Sequence, residues 1–383
     1  MIAGIQKTVH QRLPLDWNYM THDVLPPVVD IHAHAWLPEV AELTQDMPGL
    51  AAERVEQGRV FGSESMVVNA IRMRDEWYLP LTELEVRLAT MDSSGVDIQM
   101  VSMSPTQYSY WADESLACDL VSTANSALAN LVARAPTRLA GLATVSLQHP
   151  ALAAEQLRNA VAKLGMRGVQ ISTTSAGRDF SHPALDVFWA AAVELDVPVF
   201  VHPWGCSYID RLSSFYLGNV IGQPLETTTA LSHLIFGGVL DRYPALNICG
   251  AHGGGYLPYY LGRADHAYAV RPESRTMERP PSEYMPRLYF DSLVYRQDEL
   301  RSLISVAGVD HVLLGTDYPF DMSVPDPLQR LMDLDRESAQ AVSGSNAVTL
   351  FGLHDHAGVM QGHRLFNDRP TTAPTTRQTL PST

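Results

Sequence analysis

Four histidines and an aspartate in this 383-residue chain are spaced so that they could do chemistry together. Val28-Val29-Asp30-Ile31-His32-Ala33-His34 carries two histidines two residues apart, which on a strand share a face. Val201-His202-Pro203-Trp204, Ala251-His252-Gly253-Gly254-Gly255 and Gly315-Thr316-Asp317-Tyr318-Pro319-Phe320 each place a polar residue at the close of an apolar run. One such histidine is most often a satisfied core or turn residue, and His-x-His alone is weak evidence. Four histidines and a carboxylate closing separate runs point instead to a metal centre. Three histidines and a carboxylate suit Zn²⁺, with Fe²⁺, Co²⁺ or Mn²⁺ as alternatives. An open coordination position would hold a water whose pKa falls toward about 7. His252 is then the natural unligated histidine, a general base or proton donor beside that water. Asp317 could share in proton transfer.

These residues need elements that bring them to one place. Apolar stretches near 28, 97, 139, 167, 197, 247, 287 and 311 read as eight strands. They alternate with helical periodicity over Leu81–Ser94, Asp113–Ala135, Pro150–Leu164, Ser181–Leu195, Leu225–Leu240, Gly255–Val270, Asp298–Ala307 and about 326–350. Gly95 and Gly165 are C-cap signals and Ser181 an N-cap candidate. Eight such units predict an α/β fold, a distorted (β/α)8 TIM barrel whose strand ends share one mouth. No Gly-rich phosphate fingerprint follows the first strand, which argues against a doubly wound sheet. The barrel domain spans 26–352. Residues 36–80, broken by Pro38, Pro48, Gly49, Gly58 and Gly62, read as a mouth insertion with a small hairpin. Residues 1–25 read as an arm and 353–383 as a poorly ordered tail.

Composition narrows the function classes. Hydrophobic residues make up 46% and charged residues 18%, as in a soluble enzyme. A net charge of -15 repels phosphate backbones, so no nucleic-acid partner is expected. Cys118, Cys206 and Cys249 show no metal or disulfide spacing, which suggests a reducing compartment, with cytoplasm the default. Met1–Asp23 lacks the apolar core of a secretory signal, and no long apolar run predicts a membrane span.

The motifs resemble the amidohydrolase superfamily, and within it the metal-dependent non-oxidative decarboxylases of carboxymuconate-semialdehyde type. The resemblance covers about 28–352. It rests on Asp-Ile-His-Ala-His at 30–34, Met-Asp-x-x-Gly-Val-Asp at 91–97, Ser-Tyr-Trp at 109–111 and Gly-Val-Gln-Ile at 168–171. Phe-Val-His-Pro-Trp at 200–204, Pro-Leu-Glu-Thr-Thr at 224–228, Ala-His-Gly-Gly-Gly at 251–255 and Leu-Gly-Thr-Asp-Tyr-Pro-Phe at 314–320 complete it. It implies His32, His34, His202 and Asp317 as zinc ligands and His252 as catalytic acid/base. It implies substrate-carboxylate contacts from Arg72 or Arg74 and from Arg263, the last reaching the neighbouring subunit of a homodimer. A helix begun at Gly255 would carry Arg263 about 12 Å along its axis, away from its own metal.

The expected reaction is oxygen-independent loss of CO₂ from an unsaturated or aromatic carboxylate, using a metal-bound water and His252. Trp204, Tyr318 and Phe320 would wall the pocket. The alternative is a lactone or amide hydrolase using the same water. Gln170 stands on the fourth strand where a lysine would favour a binuclear hydrolase. A catalytically silent scaffold is the third reading, and the intact ligand set argues against it. His32 rather than glutamate leans toward the muconate side of the family. Gly205-Cys206 and Asp321-Met322 depart from the family pattern at the mouth.

Overall fold

The eight apolar stretches become short parallel strands because each is buried on both faces, which favours β-branched and other apolar residues in unbroken runs. They are β1 Val29–Ala35, β2 Ile98–Met103, β3 Leu139–Gly141, β4 Val169–Ile171, β5 Val199–Val201, β6 Ile248–Gly250, β7 Leu288–Asp291 and β8 Val312–Leu313. The computed structural model describes residues 26–208 and 211–357. The expected arm, 1–25, and the tail beyond 357 lie outside the described residues. Leu353 is buried and His354–Ala357 form a last short helix, so packing continues past 352.

The strands pair in the orders β1-β2-β3 and β4-β5-β6-β7-β8. Two parallel bridges, Ala143 with Val169 and Ala33 with Tyr318, join these sheets on both flanks. Ala143 N–H donates to Gly168 O at 2.9 Å on one side, and Ile31 N–H to Leu314 O at 2.9 Å on the other. The ring of eight strands is thereby continuous. Ile31, Ile98, Met100 and Phe200 fill it and are wholly buried. Each such side chain contributes on the order of 1.5–3 kcal/mol by leaving water.

The helices are α1 Pro38–Thr44, α2 Pro48–Phe61, α3 Ser63–Arg72, α4 Tyr78–Thr82, α5 Leu84–Ser94, α6 Glu114–Arg134, α7 Pro150–Leu164, α8 Asp186–Glu194, α9 Gln223–Phe236, α10 Val239–Arg242, α11 Leu261–Val270, α12 Gln297–Ala307, α13 Arg336–Gln340, α14 Asn346–Leu350 and α15 His354–Ala357. Gly95 closes α5 in the left-handed region at φ 73°, as its cap signal predicts. Among the described residues one helix, α6, is long and apolar enough to cross a membrane. Here its Leu120, Ala124 and Leu128 belong to the barrel's hydrophobic cluster. Its Asn125 exchanges hydrogen bonds with the Thr144 backbone.

Four local expectations are corrected. Residues 36–80 contain no hairpin: they form α1 to α4, with a π-helical turn over Met73–Trp77. Pro38 and Pro48 sit in the first turns of α1 and α2, where a missing N–H costs nothing. Ser181 does not cap a helix, because its hydroxyl meets His233 Nδ1 at 2.9 Å and α8 starts at Asp186. The helix expected over 225–240 divides at Gly237 and Gly238, the latter at φ 64°. The helix expected from Gly255 begins only at Leu261. Gly253, Gly254 and Gly255 all have positive φ and cannot start it.

Candidate metal centre

The C-terminal ends of β1, β5 and β8 converge as a barrel requires. His32, His34, His202 and Asp317 are buried, and one ligand atom from each lies within 4.8 Å of all the others. Each imidazole is held from behind. His32 Nδ1 meets Asp291 Oδ2 at 2.7 Å, His34 Nδ1 meets Ser102 Oγ at 3.1 Å, and His202 Nδ1 meets Pro203 O at 2.9 Å. A proton on each Nδ1 serves these acceptors and leaves a bare Nε2 lone pair facing inward. The three Nε2 atoms and Asp317 Oδ1 are buried without hydrogen-bond partners. His32 Nε2 and His34 Nε2 lie 3.3 and 3.2 Å from Asp317 Oδ1, close but not aligned as hydrogen bonds. Four converging orphan donors of the N₃O type fit one divalent metal ion.

The electrostatics agree. Burial opposes a charge on His32, but Asp317 and Asp291 overcome it and push its pKa up to about 10. Burial brings His34 down to about 4 and holds His202 well below its usual value, so both are neutral ligands. Burial would raise Asp317, yet His32, His252 and His34 keep it well below the carboxylate range. Asp291 is also held low, burial being outweighed by His32. Two buried carboxylates facing His32 favour positive charge at this place, and a metal ion bound at His32 Nε2 would take the place of the proton there.

His252 stands beside this set, its Nε2 at 3.7 Å from Asp317 Oδ2 and its Nδ1 buried without a partner. His252 and Asp317 both adopt left-handed backbone, at φ 54° and 60°. Such strain persists only where surroundings fix it. Asp291 does that for His252: Oδ2 accepts from His252 N–H at 3.0 Å and Oδ1 from Gly253 N–H at 2.8 Å. A Cβ on Gly254 would lie 2.5 Å from Phe290, and one on Gly255 2.1 Å from Pro224 O, so the glycine run is required by space as well as by φ.

Gly315 is the other tight passage. A Cβ there would lie 2.8 Å from the Asp291 Cβ and 3.1 Å from the His32 Cβ. Gly315→Ala is expected to push these two side chains apart and cost about 1–3 kcal/mol of stability. A denaturation midpoint within error of the parent would show that the passage relaxes freely.

The predicted rim residues separate into two groups. Phe320 packs against His34 at 5.6 Å between ring centroids and meets Trp77 edge-on at 5.3 Å. Trp204 is half-buried, stacks obliquely on Phe61 at 5.7 Å and donates its indole N–H to Glu53 Oε1 at 3.1 Å. Glu53, on α2, also accepts from Trp111 at 2.8 Å. One carboxylate thus ties the insertion to the loops that follow β2 and β5. Tyr318 faces away, its hydroxyl on Pro80 O and its ring under Arg87 at 4.9 Å. Arg72 is half-buried near Asp321, whereas Arg74 is exposed and bonded to Asp75 at 2.6 Å. Arg263 is exposed in the first turn of α11, so the expected 12 Å offset along a helix from Gly255 is replaced by this position.

Sequence reading missed Asp291, Ser102 and Asp30. Asp30 accepts from His32 N–H, Thr316 N–H, the Thr316 hydroxyl and the Gln99 amide, locking β1 to β8. Gln170 accepts from Ser102 Oγ at 2.6 Å, extending the support behind His34. Asp291 closes the apolar run of β7, the same signal that singled out His202 and His252, whereas Ser102 stands inside β2, one residue before its end.

A family model described as amidohydrolase matches residues 29–353. The 2-amino-3-carboxymuconate-6-semialdehyde decarboxylase of Dictyostelium discoideum is 34% identical over 70% of this chain and 76% of its own. The structure of 2,6-dihydroxybenzoate decarboxylase from Rhizobium superposes with TM-score 0.72 at 25% identity, covering 86% of this chain and 100% of that one. The 5-carboxyvanillate decarboxylase of Novosphingobium aromaticivorans, solved with manganese, gives TM-score 0.76 at 24% identity over 86% and 97%. With the model running from β1 to the last buried residue of the barrel, and a relative above 30% identity sharing most of its length, the chain belongs to the amidohydrolase family.

Proposed function

We propose that the protein is a metal-dependent, oxygen-independent decarboxylase of an aromatic or otherwise unsaturated carboxylic acid. The observation that carries this is the unligated His252 imidazole beside a four-ligand centre, in a chain whose relatives are decarboxylases. A divalent ion held by His32, His34, His202 and Asp317, which we take to be zinc from the ligand set, would supply the positive charge that binds and orients the substrate's anionic oxygens. His252 then delivers a proton to the carbon bearing the carboxylate. That carbon becomes tetrahedral, its bond to the carboxylate breaks, and the electron pair restores the unsaturation as CO₂ leaves. One C–H bond replaces one C–C bond without oxidation, so no oxygen is consumed. Asp317 Oδ2, at 3.7 Å from His252 Nε2, steadies the protonated imidazole, and a proton from solvent recharges His252 after CO₂ has left. Trp204 and Phe320 limit water at the reacting carbon.

Anaerobic incubation with carboxymuconate semialdehydes, hydroxybenzoates and lactones tests the reaction. CO₂ release with a protonated product is expected from the acids. Turnover of lactones alone would place the protein among hydrolases. Chelation is expected to abolish activity, and one metal ion per chain to restore it. Zinc and manganese are the two to compare, since the Novosphingobium relative holds manganese.

The second part of the proposal is a homodimer in which Arg263 reaches the neighbouring site. Tyr260 is 69% exposed, and Tyr256, Tyr259 and Arg263 beside it are exposed too, an aromatic face suited to a second copy. Mixing Arg263→Ala with His252→Ala subunits is expected to regain part of the activity. No recovery, with subunit exchange confirmed, would remove the trans role. The three cysteines are free, in keeping with a reducing cytoplasm as the proposed location.

A further inference from the structure

The decarboxylase reading leaves the substrate open, and the rim of the site narrows it. Arg72 is the last residue of α3, at the edge of the π-helical turn Met73–Trp77. Its guanidinium already faces two carboxylates, with NH1 at 3.1 Å from Glu76 Oε2 and Nε at 3.7 Å from Asp321 Oδ2. Asp321 directly follows Phe320, whose ring lies on His34 and whose N–H donates to Asp317 O at 3.2 Å. The lip carboxylate is therefore anchored to the metal-centre wall. Tyr216 lies in the field of the same groups: burial first, then Asp321 and Asp317, raise its phenol well above its usual value, against Arg72. It stays a neutral hydrogen-bonding group.

We propose that Asp321 is a specificity-determining residue. It selects acids carrying one carboxylate and an uncharged donor, a hydroxyl or amino group, over dicarboxylates. The proposal rests on the decarboxylase reading above and specifies its substrate class. A second substrate carboxylate directed at Arg72 meets a guanidinium already neutralised, and stands against Asp321 as a like charge. A hydroxyl or amino group instead donates to the free Asp321 oxygen. A site built to accept from such a donor discriminates strongly against an analogue without it. Arg72 acts here by holding Asp321 in place.

A matched pair of ligands tests this on the metal-loaded protein by calorimetry. 3-Hydroxybenzoate carries one carboxylate and one hydroxyl; benzene-1,3-dicarboxylate places a carboxylate where that hydroxyl stands. The parent protein is expected to bind the hydroxy acid about tenfold tighter or more. Asp321→Asn is expected to shrink that ratio about tenfold, chiefly by tightening the dicarboxylate, and Asp321→Ser to act in the same direction. Thermal unfolding confirms that both variants are folded. An unchanged ratio, a parent preference for the dicarboxylate, or no binding of either acid overturns the proposal. Binding is read without turnover, so failure of every acid to release CO₂ would overturn the decarboxylase reading separately.

Discussion

Substituting His252 by asparagine is expected to lower kcat by about 10²- to 10⁴-fold while leaving metal content at about one ion per chain. Asparagine is the informative choice because it tolerates the left-handed backbone that His252 adopts at φ 54°. The loop therefore keeps its course, and the loss reports the imidazole itself. Its Nδ1 has no partner and its Nε2 has only Asp317, at 3.7 Å, so removal strands no neighbouring donor. A fall in kcat with KM nearly unchanged is the pattern for a group that acts on the proton in the transition state. Loss of the metal together with activity would make His252 a ligand, and the division between holding and proton-transfer groups would have to be redrawn. Retention of kcat would remove His252 from the chemistry.

How much of this could be read from the chain follows from locality. The strands were legible because a barrel strand is buried on both faces and reads as an apolar run closed by one polar residue. Phe200-Val201-His202 and Cys249-Gly250-Ala251-His252 are examples. The ligand set was legible for the same reason, since position at a strand end is position at the mouth. The insertion was not. Pro38, Pro48, Gly49, Gly58 and Gly62 look like breakers, yet the prolines fall in first turns. Gly62, at φ 82°, merely separates α2 from α3. α3 does carry apolar residues at helical spacing, but Val67, Val68 and Ile71 stand exposed, so the stripe does not face the barrel core. The start of α11 was misplaced because the glycines after His252 serve the site. They fold the chain sharply under it instead of opening a helix.

The supporting groups were hidden for a different reason. Asp291 lies 259 residues from His32 in sequence, and Ser102 lies 68 from His34. Nothing local distinguishes an aspartate that orients a ligand from one that closes a strand. Asp97 shows the ambiguity: it too stands at a strand boundary, and its Oδ2 accepts from Val28 N–H at 2.8 Å, a bond that fixes register instead of chemistry. Only closure of the ring brings β7 behind β1 and gives Asp291 its role.

That role yields the other large effect. Asp291 is wholly buried and accepts four hydrogen bonds, from His32 Nδ1, His252 N–H, Gly253 N–H and Leu293 N–H. Asp291→Ala strands three backbone donors, each costing about 1–3 kcal/mol, and is expected to destabilise the fold as a whole. Asp291→Asn separates structure from metal binding. Its amide oxygen can still accept from Gly253 and Leu293 at the Oδ1 position, so much of the stability is retained. Its NH₂ then falls at the Oδ2 position, facing His32 Nδ1. Two donors cannot pair, so His32 must move its proton to Nε2, the nitrogen that faces the metal centre. The variant is expected to bind zinc or manganese about 10- to 100-fold more weakly, measured by metal titration against the parent. Because Asp291 also holds the backbone of His252 and Gly253, kcat at saturating metal should fall as well. Parent-like metal affinity in folded Asp291→Asn would show that the His32 tautomer is set elsewhere, and would leave Asp291 a purely structural anchor of the loop after β6.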